Sequence, residues 1–319
     1  MIQGGNAHPA RFVAAVAALL VALLACGCSL MTPSRDEVEQ PATSATVDAS
    51  ALVQEGVLTV ALDTTDAPQC MVDAEGAMTG YYADVARALA SKLGLHVAFV
   101  DAASAGSSVG EGAADVFIGA KAADADDELT VFGSCLEDAP SLFMLDADAQ
   151  TASVAALSGK TVAVQTASAA QDALNKAGVA AEQLPCSNVN ECFEAVASGQ
   201  ADCVACDATA GAYLASIYGD IAFAGTLDTT TVSGIAVSTG NSVLTEQVSS
   251  AFDSLSADGS LGAIHASWYG SLPLSLSDAL LPGVELTEKE ADEPESATSA
   301  ADDAAEQGMD LSDINEFDG

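Results

Sequence analysis

Two successive runs of alternating strand-like and helix-like segments constrain the fold of this chain more than any other feature. Apolar residues recur at helical spacing in Tyr82–Leu93, Ala169–Lys176 and Phe193–Val196. The predicted strands are short apolar segments, namely Val57–Leu62, His96–Val100 and Asp115–Gly119 in the first run, and Lys160–Gln165, Glu182–Pro185 and Asp202–Cys206 in the second. Strands that alternate with helices form parallel sheets covered on both faces. The sequence therefore predicts an α/β protein with two doubly wound lobes and a cleft, where ligands bind at the carboxyl ends of strands.

The charge of the chain excludes one large class of function. The formal net charge is −38 at pH 7, from 46 Asp and Glu against 8 Lys and Arg. Nonspecific nucleic-acid binding depends on Lys and Arg that neutralise phosphates, so we expect no nucleic-acid partner. Anionic membrane surfaces would repel the chain for the same reason.

The first 25 residues have the pattern of a signal peptide. Arg11 supplies positive charge, and Phe12–Ala25 is an uncharged apolar run that is too short to span a bilayer comfortably. The run leads into Leu23–Cys26, which resembles a bacterial lipobox, whereas Cys28 is a poorer fit. We therefore predict a lipid on Cys26 and a mature protein anchored at the extracytoplasmic face of the cell membrane. A plain signal peptide or an uncleaved anchor is the alternative.

Two segments lack the apolar periodicity of the rest. Residues 26–54 contain Pro, Ser, Thr and charged residues in no regular period and are predicted to form a flexible, lipid-anchored linker. Residues 273–319, which include the acidic stretch Glu288–Glu293, are predicted to form a disordered acidic tail. The folded part is accordingly predicted to span about 55–272.

Five motifs follow one another in the folded part. They are Gly56–Val60 at the opening strand, Gly76–Ala86 at a helix entry, Leu157–Gln165 at a later strand, Ser198–Asp202 followed by Asp207, and Asp258–Gly270 near the end. In this order they resemble the polar amino-acid family of ABC-transporter solute-binding proteins, the bacterial extracellular solute-binding proteins of family 3. The resemblance implies the type II periplasmic-binding fold. It implies a lobe 1 of about 55–142 plus 228–272, a lobe 2 of about 143–227, and a two-strand hinge at Ser141–Leu145 and Val232–Val237.

The resemblance also assigns ligand contacts in lobe 2. Asp207 directly follows a buried-looking strand and stands where the family binds the ammonium of an amino acid, a role that suits a desolvated carboxylate. Ser168 stands between a strand and a helix, where backbone N–H groups and a hydroxyl can hold a ligand carboxylate. Helix capping is the alternative role for both residues.

Lobe 1 departs from the family at the residue that holds the ligand carboxylate. The family carries an Arg there, but Asp126 occupies that place, and the chain has no Arg after Arg87. Lys121, at a family pocket position just after the strand that ends at Gly119, is the predicted replacement, acting as a point charge rather than a planar fork. A solvated surface Lys is the alternative.

Four further residues of lobe 1 are candidates for the cleft. Asp63 and Asp66 follow the opening strand, where the family has an aromatic segment that this chain lacks. Of Tyr81 and Tyr82, we expect one to pack in the core and the other, predicted as Tyr82, to reach the ligand. Gly119 completes the predicted set.

The cysteines beyond the lipobox form an even set of six in a domain predicted to be exported, which allows disulfides in fifteen connectivities, while burial as small apolar side chains is the default expectation. They are Cys70, Cys135, Cys186, Cys192, Cys203 and Cys206. Strand alternation would point the sulfurs of Cys203 and Cys206 to opposite faces, which disfavours a metal or redox site. Cys70 and Cys135, both predicted near the cleft, are the first pair to test. No metal or cofactor is predicted.

These observations favour an extracytoplasmic solute-binding lipoprotein of an ABC importer, which closes its cleft over a small polar, amino-acid-like ligand or related amine. Its expected partners are the ligand, an ABC permease and the membrane, with the protein itself a monomer and not an enzyme. A sensing or structural lipoprotein that kept the fold and lost the amino-acid site is the first alternative. A dehydratase or lyase on the same fold is the second, although the only His residues are His8, His96 and His265.

Overall fold

The computed structural model describes residues 47–286, which form two compact units. Unit 1 comprises residues 47–135 and 233–264, and unit 2 comprises residues 136–232 and 265–286. Each unit is built around one five-stranded sheet. The predicted mixed α/β class with two sheet-based lobes is therefore confirmed.

The helices and strands of the described residues alternate along most of the chain. The strands are β1 (Val57–Leu62), β2 (Met71–Val72), β3 (Met78–Thr79), β4 (His96–Asp101), β5 (Val116–Lys121), β6 (Leu129–Asp138), β7 (Pro140–Leu145), β8 (Thr161–Gln165), β9 (Glu182–Cys186), β10 (Cys203–Asp207), β11 (Ile221–Thr226) and β12 (Thr231–Ser238). The α-helices are α1 (Tyr81–Leu93), α2 (Asp146–Ala149), α3 (Ala169–Lys176), α4 (Val189–Ala197), α5 (Ala208–Tyr218), α6 (Ser242–Ala257) and α7 (Ser260–Tyr269).

Unit 1 contains a sheet in the order β4-β1-β5-β12-β6. Strand β1 is parallel to both β4 and β5, while β12 is antiparallel to β5. The apolar residues of β1 after Val57 are buried, with Leu58 and Val60 fully inaccessible to solvent. Helix α1 buries its Val85 and Leu89 stripe and ends at Gly94 in the left-handed conformation, as the sequence predicted.

Unit 2 contains a sheet in the order β11-β7-β10-β8-β9. Strand β8 is parallel to β9 and β10, whereas β7 is antiparallel to β10 and β11. One cluster of its core joins strand and helix residues that include Leu142, Val162, Val164, Leu174 and Cys203. Parallel pairing at the centre places the ends of β8 and β10 at one edge of the sheet, where α3 and α5 begin.

Residues that pack on the two units extend beyond both limits predicted for the folded part. At the start, residues 47–54 were assigned to the linker, but the backbone N–H of Val53 donates to Asp115 Oδ1 at 2.7 Å. The side-chain amide of Asn241 donates to the Ala51 carbonyl at 2.8 Å. These polar contacts attach the segment to unit 1, and no hydrophobic period could have indicated them.

At the other end, residues 273–286 were assigned to the acidic tail but pack on unit 2. Leu276 and Leu281 are buried, and Leu280 forms a β-bridge with Thr226. The backbone N–H of Leu276 donates to the carboxylate of Glu137. With five leucines among its 14 residues, the segment is apolar on average, so its composition is consistent with packing and the tail was predicted to begin too early.

The strands that pass between the units also differ from the prediction. The chain changes unit within β6, within β12 and within α7. The predicted hinge strand Ser141–Leu145 belongs instead to β7, which lies wholly in unit 2 and is paired on both sides, to β10 and β11. The predicted strand Val232–Val237 lies within β12. Residues 136–142, 228–232 and 265–272 accordingly belong to unit 2 rather than to lobe 1.

Residues 1–46 and 287–319 lie outside the described part of the chain. The predicted signal peptide, the lipidation site Cys26, most of the predicted linker and most of the predicted tail therefore remain predictions. None of the helices within 47–286 has the length and apolar character that a bilayer crossing requires.

Candidate functional site

A cavity of about 400 Å³ lies in unit 1. It is lined by Asp63, Thr65, Asp66, Tyr82, Ala103, Ser104, Phe117, Ile118, Gly119, Lys121 and Asp124. Five of these residues were singled out in the sequence as ligand contacts, namely Asp63, Asp66, Tyr82, Gly119 and Lys121. The structure thus brings together all the site residues predicted in lobe 1.

The parallel arrangement of three strands explains why these residues meet. Strand β1 is paired with β4 on one side and with β5 on the other, in the same direction. Asp63 follows the last residue of β1, and Lys121 is the last residue of β5. Because parallel strands end at the same edge of a sheet, their terminal side chains and following loops form one wall of the cavity.

Two adjacent tyrosines at the start of α1 have different roles. Tyr81 is fully buried, and its hydroxyl donates to the Cys135 carbonyl at 2.6 Å. Tyr82 is 3% exposed and lines the cavity. Gly80 makes this turn possible, because it has φ 127° and a Cβ there would lie 2.4 Å from the Gln69 carbonyl oxygen. Tyr81 therefore packs in the core and Tyr82 lies at the cavity wall, while a contact of Tyr82 with a ligand stays a prediction.

The cavity carries three carboxylates, on Asp63, Asp66 and Asp124, and one ammonium, on Lys121. Asp63 Oδ1 accepts hydrogen bonds from the backbone N–H and the hydroxyl of Thr65, at 2.9 and 2.7 Å. Asp124 Oδ2 accepts from the backbone N–H of Lys121 at 2.7 Å. These bonds fix two of the carboxylates without neutralising them.

Lys121 is exposed, and its ammonium has no ion-pair partner among residues 47–286. The ion pairs within that range are Arg87–Asp84, Lys92–Asp258 and Lys160–Asp202. A Lys beside carboxylates that do not pair with it is available to an anionic group of a ligand. The alternative of a solvated surface Lys also remains compatible with this exposure.

The residue that stands in the place of the family Arg has a structural role in this chain. Asp126 Oδ1 accepts from the backbone N–H groups of Glu128 and Leu129, each at 2.8 Å, and so closes the turn before β6. Arg87 does not substitute for the missing clamp. Its guanidinium donates to Asp84 at 2.9 Å and to the Met78 carbonyl at 2.8 Å.

In unit 2, Asp207 is the last residue of β10 and the residue before α5. Its side chain makes no capping hydrogen bond to the helix, so the capping alternative has no support from this residue. The carboxyl reaches the surface, yet the surrounding protein excludes enough water to raise its pKa.

A second carboxylate in unit 2 was missed in the sequence. Asp138, the last residue of β6, accepts from the Thr209 hydroxyl at 2.6 Å, the Thr209 backbone N–H at 3.2 Å and the Ala139 N–H at 2.8 Å. Burial raises its pKa to about 6, opposed by the Thr209 hydroxyl and assisted by the charge of Asp207. The only signal in the sequence was an Asp at the end of a strand. The predicted hinge strand began at Ser141, after Asp138, so Asp138 was not recognised as a residue at a strand end.

Ser168 is the N-cap of α3, since its Oγ accepts from the backbone N–H of Gln171 at 3.1 Å. The Gln171 side chain in turn accepts from the Ala167 N–H at 2.8 Å. Ala167 has φ 57°, a left-handed conformation that is uncommon outside Gly and turns this N–H toward Gln171. Helix capping, the alternative noted for Ser168, is thus present, and a ligand contact by this residue stays a prediction.

The six cysteines within residues 47–286 are free thiols and all are buried, so the suggested pair Cys70 and Cys135 is not joined by a disulfide. Burial raises the pKa of the Cys70 thiol to about 11 and that of the Cys135 thiol still further. Within residues 47–286, no group of three or more His, Cys, Asp or Glu side chains gathers in a way that could hold a metal ion.

Comparison with known protein families supports the resemblance seen in the motifs. Residues 58–131 match the sequence model of the bacterial extracellular solute-binding proteins, family 3. All five predicted contacts in the unit 1 cavity fall within this segment. A search of curated protein sequences found no match.

Several solved structures that carry the name of solute-binding proteins have a similar fold. An ancestral cationic amino-acid solute-binding protein matches with a TM-score of 0.57 and 23% identity over 68% of this chain and 97% of its own. The L-cystine receptor of Neisseria gonorrhoeae matches with a TM-score of 0.57 and 22% identity, covering 70% and 95% of the two chains. A polar amino-acid uptake protein of Streptococcus thermophilus matches with a TM-score of 0.62 and 18% identity, covering 74% and 95%. These similarities confirm the predicted type II periplasmic-binding fold.

Proposed function

We propose that this protein is an extracytoplasmic solute-binding lipoprotein of an ABC importer that captures a small polar, amino-acid-like ligand. The observation that carries the proposal is the unit 1 cavity. Residues chosen from the family resemblance line a single cavity of about 400 Å³, a size suited to a small molecule. The cavity also lies within the segment that matches the family's sequence model.

The charges of the cavity support a ligand that carries an ammonium group. Three of the lining residues carry a carboxylate and one carries an ammonium, so a cationic ligand would gain more Coulomb energy there than an anionic one. The Lys121 ammonium would hold the carboxylate of an amino acid as a point charge, in place of the Arg that the family uses. The face of Tyr82, beside Gly119, supplies an apolar surface for the ligand's carbon skeleton.

In unit 2, Asp207 is the proposed partner of the ligand's α-ammonium. The Asp207 side chain makes no capping hydrogen bond to the helix, so its carboxylate oxygens remain available to a ligand, which supports this role. The proposal includes closure of the two lobes over the ligand and a weaker, assisting role for Ser168. Closure, the permease partner and the lipid anchor are all inferred from the family resemblance and the lipobox.

One observation favours a second function. Asp126 replaces the family's carboxylate clamp and is committed to a turn, so the original amino-acid site is altered. A lipoprotein that senses another ligand, or that serves a structural role, would be free to make this change.

A thermal-shift screen tests the proposal. The full-length protein would be heated with each of the twenty amino acids, putrescine and spermidine. A ligand that binds only the native state at a hundred times its Kd stabilises by about 2.7 kcal/mol, which raises Tm by several degrees. We expect at least one amino acid to do so. If none of these compounds stabilises the protein at millimolar concentration, the proposal is contradicted and the second function is favoured.

A further inference from the structure

Helix α5 of unit 2 is not capped by the residue that stands at its N-cap. Asp207 holds that position, and Asp is among the residues that cap helices best, yet its side chain accepts no hydrogen bond from the helix. In the two helices that precede it, the N-cap residue does cap. Ser168 accepts from the Gln171 N–H at 3.1 Å in α3, and Asn188 accepts from the Glu191 N–H at 3.0 Å in α4. Another group must therefore satisfy the first N–H groups of α5.

The connection between β6 and β7 supplies these acceptors. Asp138 Oδ1 accepts from the backbone N–H of Thr209, the second residue of α5, at 3.2 Å, and Asp138 Oδ2 accepts from the Thr209 hydroxyl at 2.6 Å. The Ala139 carbonyl accepts from the N–H of Ala208, the first residue of the helix, at 2.9 Å. An N-cap side chain normally accepts from the second or third N–H of its helix. Asp138 therefore caps α5 from a strand that lies 71 residues earlier in the chain.

Strand pairing places Asp138 at this end of the helix. Strand β7 runs antiparallel to β10, with Pro140 opposite Asp207, so the residues just before β7 lie beside those just after β10. The Ala139 N–H donates to Asp138 Oδ1 at 2.8 Å and holds the carboxylate in place. Thr209 is fully buried, so its N–H and hydroxyl depend on acceptors within the protein. The position of the Asp138 carboxylate is thus determined by the fold of unit 2.

We propose that Asp138 is a positioning residue for the ligand, because by capping α5 it leaves the Asp207 carboxylate available to bind the ligand's ammonium. This inference rests on the proposed function, in which Asp207 binds that ammonium. If Asp138 lost its acceptor oxygens, Asp207 would be placed to accept from Thr209 instead, since it stands at the N-cap of the same helix. The Asp207 carboxylate would then turn onto its own helix and away from the ligand.

Two substitutions separate the acceptor of Asp138 from its charge. Asp138→Asn removes the charge but keeps a carbonyl oxygen that can accept from Thr209, whose hydroxyl can accept as well as donate. Asp138→Ala removes the charge and the acceptor together. Both variants end the repulsion between the charges of Asp138 and Asp207, so a difference between them reports the loss of the cap. Asp138→Leu, which fills the space of the carboxyl without an acceptor, replaces the alanine variant if that variant does not fold.

The first readout is the pKa of Asp207, which requires no ligand. The full-length protein, isotopically labelled at the aspartate carboxyl carbons, would be titrated by NMR, with the Asp207 signal assigned by its loss in Asp207→Asn. Partial burial holds this pKa above its ordinary value in the wild-type protein. A carboxylate that caps a helix accepts N–H bonds at the positive end of the helix dipole, which lowers its pKa. We therefore expect a lower Asp207 pKa in Asp138→Ala than in Asp138→Asn.

The second readout is affinity for the amino acid, among the twenty, that raises the Tm of the wild-type protein most. Its Kd, measured by calorimetric titration, should be at least roughly tenfold higher in Asp138→Ala than in Asp138→Asn, because an Asp207 carboxylate that caps α5 no longer pairs with the ammonium. A protein that only loses stability would keep the same Kd in its folded fraction.

Equal Asp207 pKa values in the two variants, or equal Kd values, would overturn the positioning role of Asp138. A wild-type Asp207 pKa below the ordinary value would overturn it without any variant, since Asp207 would then already cap the helix. The proposed function fails separately: if the pKa values differ as expected but no amino acid binds the wild-type protein, the exchange of caps stands and the ligand role of Asp207 is contradicted.

Discussion

The ring of Tyr82 lies directly against Gly119, where an added Cβ would come within 3.1 Å of Tyr82 Cε2. Gly119 has φ 112°, a conformation that residues with a side chain rarely adopt. The tyrosine from the start of α1 can therefore line the cavity only because the strand beneath it carries no side chain at that position. The pair connects the helix to the end of β5 and shapes the cavity wall.

Replacing Gly119 by Ala should destabilise the protein through both backbone strain and contact with Tyr82. We expect a loss of roughly 1–3 kcal/mol in the free energy of unfolding, measured by denaturant titration. Gly112→Ala is the matched control, since Gly112 has φ 71° and nothing within 4 Å of its added Cβ. An equal loss of unfolding free energy in the two variants would show that contact with Tyr82 does not add to the destabilisation of Gly119→Ala.

Asp138 should make stability depend on pH. Its folded-state pKa of about 6 lies above the ordinary 3.8, so the native state binds the proton more tightly than the unfolded state does. Stability from this group is therefore present below about pH 4 and is lost as pH rises to about 6, on the order of 2–3 kcal/mol in all. Asp138→Asn cannot ionise and should lack this decline.

The check is to subtract the unfolding free energy of Asp138→Asn from that of the wild-type protein at each pH from 4 to 8. The difference should fall from about pH 4 to about pH 7 and stay constant above that. A difference that does not vary with pH would contradict the raised pKa of Asp138.

Asp207 should affect both the affinity for the ligand and the pKa of Asp138. If it holds a buried ammonium, Asp207→Asn leaves that charge unpaired, which costs on the order of 2–5 kcal/mol and weakens binding by more than roughly tenfold. Because the Asp207 charge also raises the pKa of Asp138, the same variant should lower that pKa, as NMR titration would report. Asp220→Asn, an exposed carboxylate of the same unit, is the control and should change neither.

The amino terminus of the exported protein should be Cys26 carrying a lipid. Mass spectrometry of detergent-extracted protein would detect the acylated residue. Cys26→Ser should abolish the acylation, whereas Cys28→Ser should preserve it. A soluble mature protein with a different first residue would contradict the assignment.

Much of the fold could be predicted because its strands and helices follow their hydrophobic periods. Val57–Leu62 and Ala169–Lys176 have the same limits in the sequence and in the structure. Parallel strands end at the same edge of a sheet. Once the strands are recognised in the sequence, the residues that follow them can therefore be placed near one another. Asp63, which follows β1, and Lys121, the last residue of β5, stand at such strand ends.

The misses have a different physical origin. Leu276 and Leu281 are buried by tertiary packing in a segment that contains no helix or named strand, so no regular element marked it as part of the folded unit. Asp138 depends on Thr209, 71 residues later in the chain, for a hydrogen bond that no local pattern encodes. Long-range polar contacts of this kind lie beyond periodicity and motif spacing.

The most direct test of the proposed function is calorimetric titration of the amino acid that stabilises the protein most in the thermal screen. It would be titrated into the wild-type protein, Lys121→Met and the control Lys176→Met, whose Lys lies exposed at the end of α3. We predict a Kd at least roughly tenfold higher for Lys121→Met, since the ligand carboxylate loses its only cation in the cavity, and an unchanged Kd for Lys176→Met. A Kd for Lys121→Met equal to that of the wild-type protein would contradict ligand binding in the unit 1 cavity.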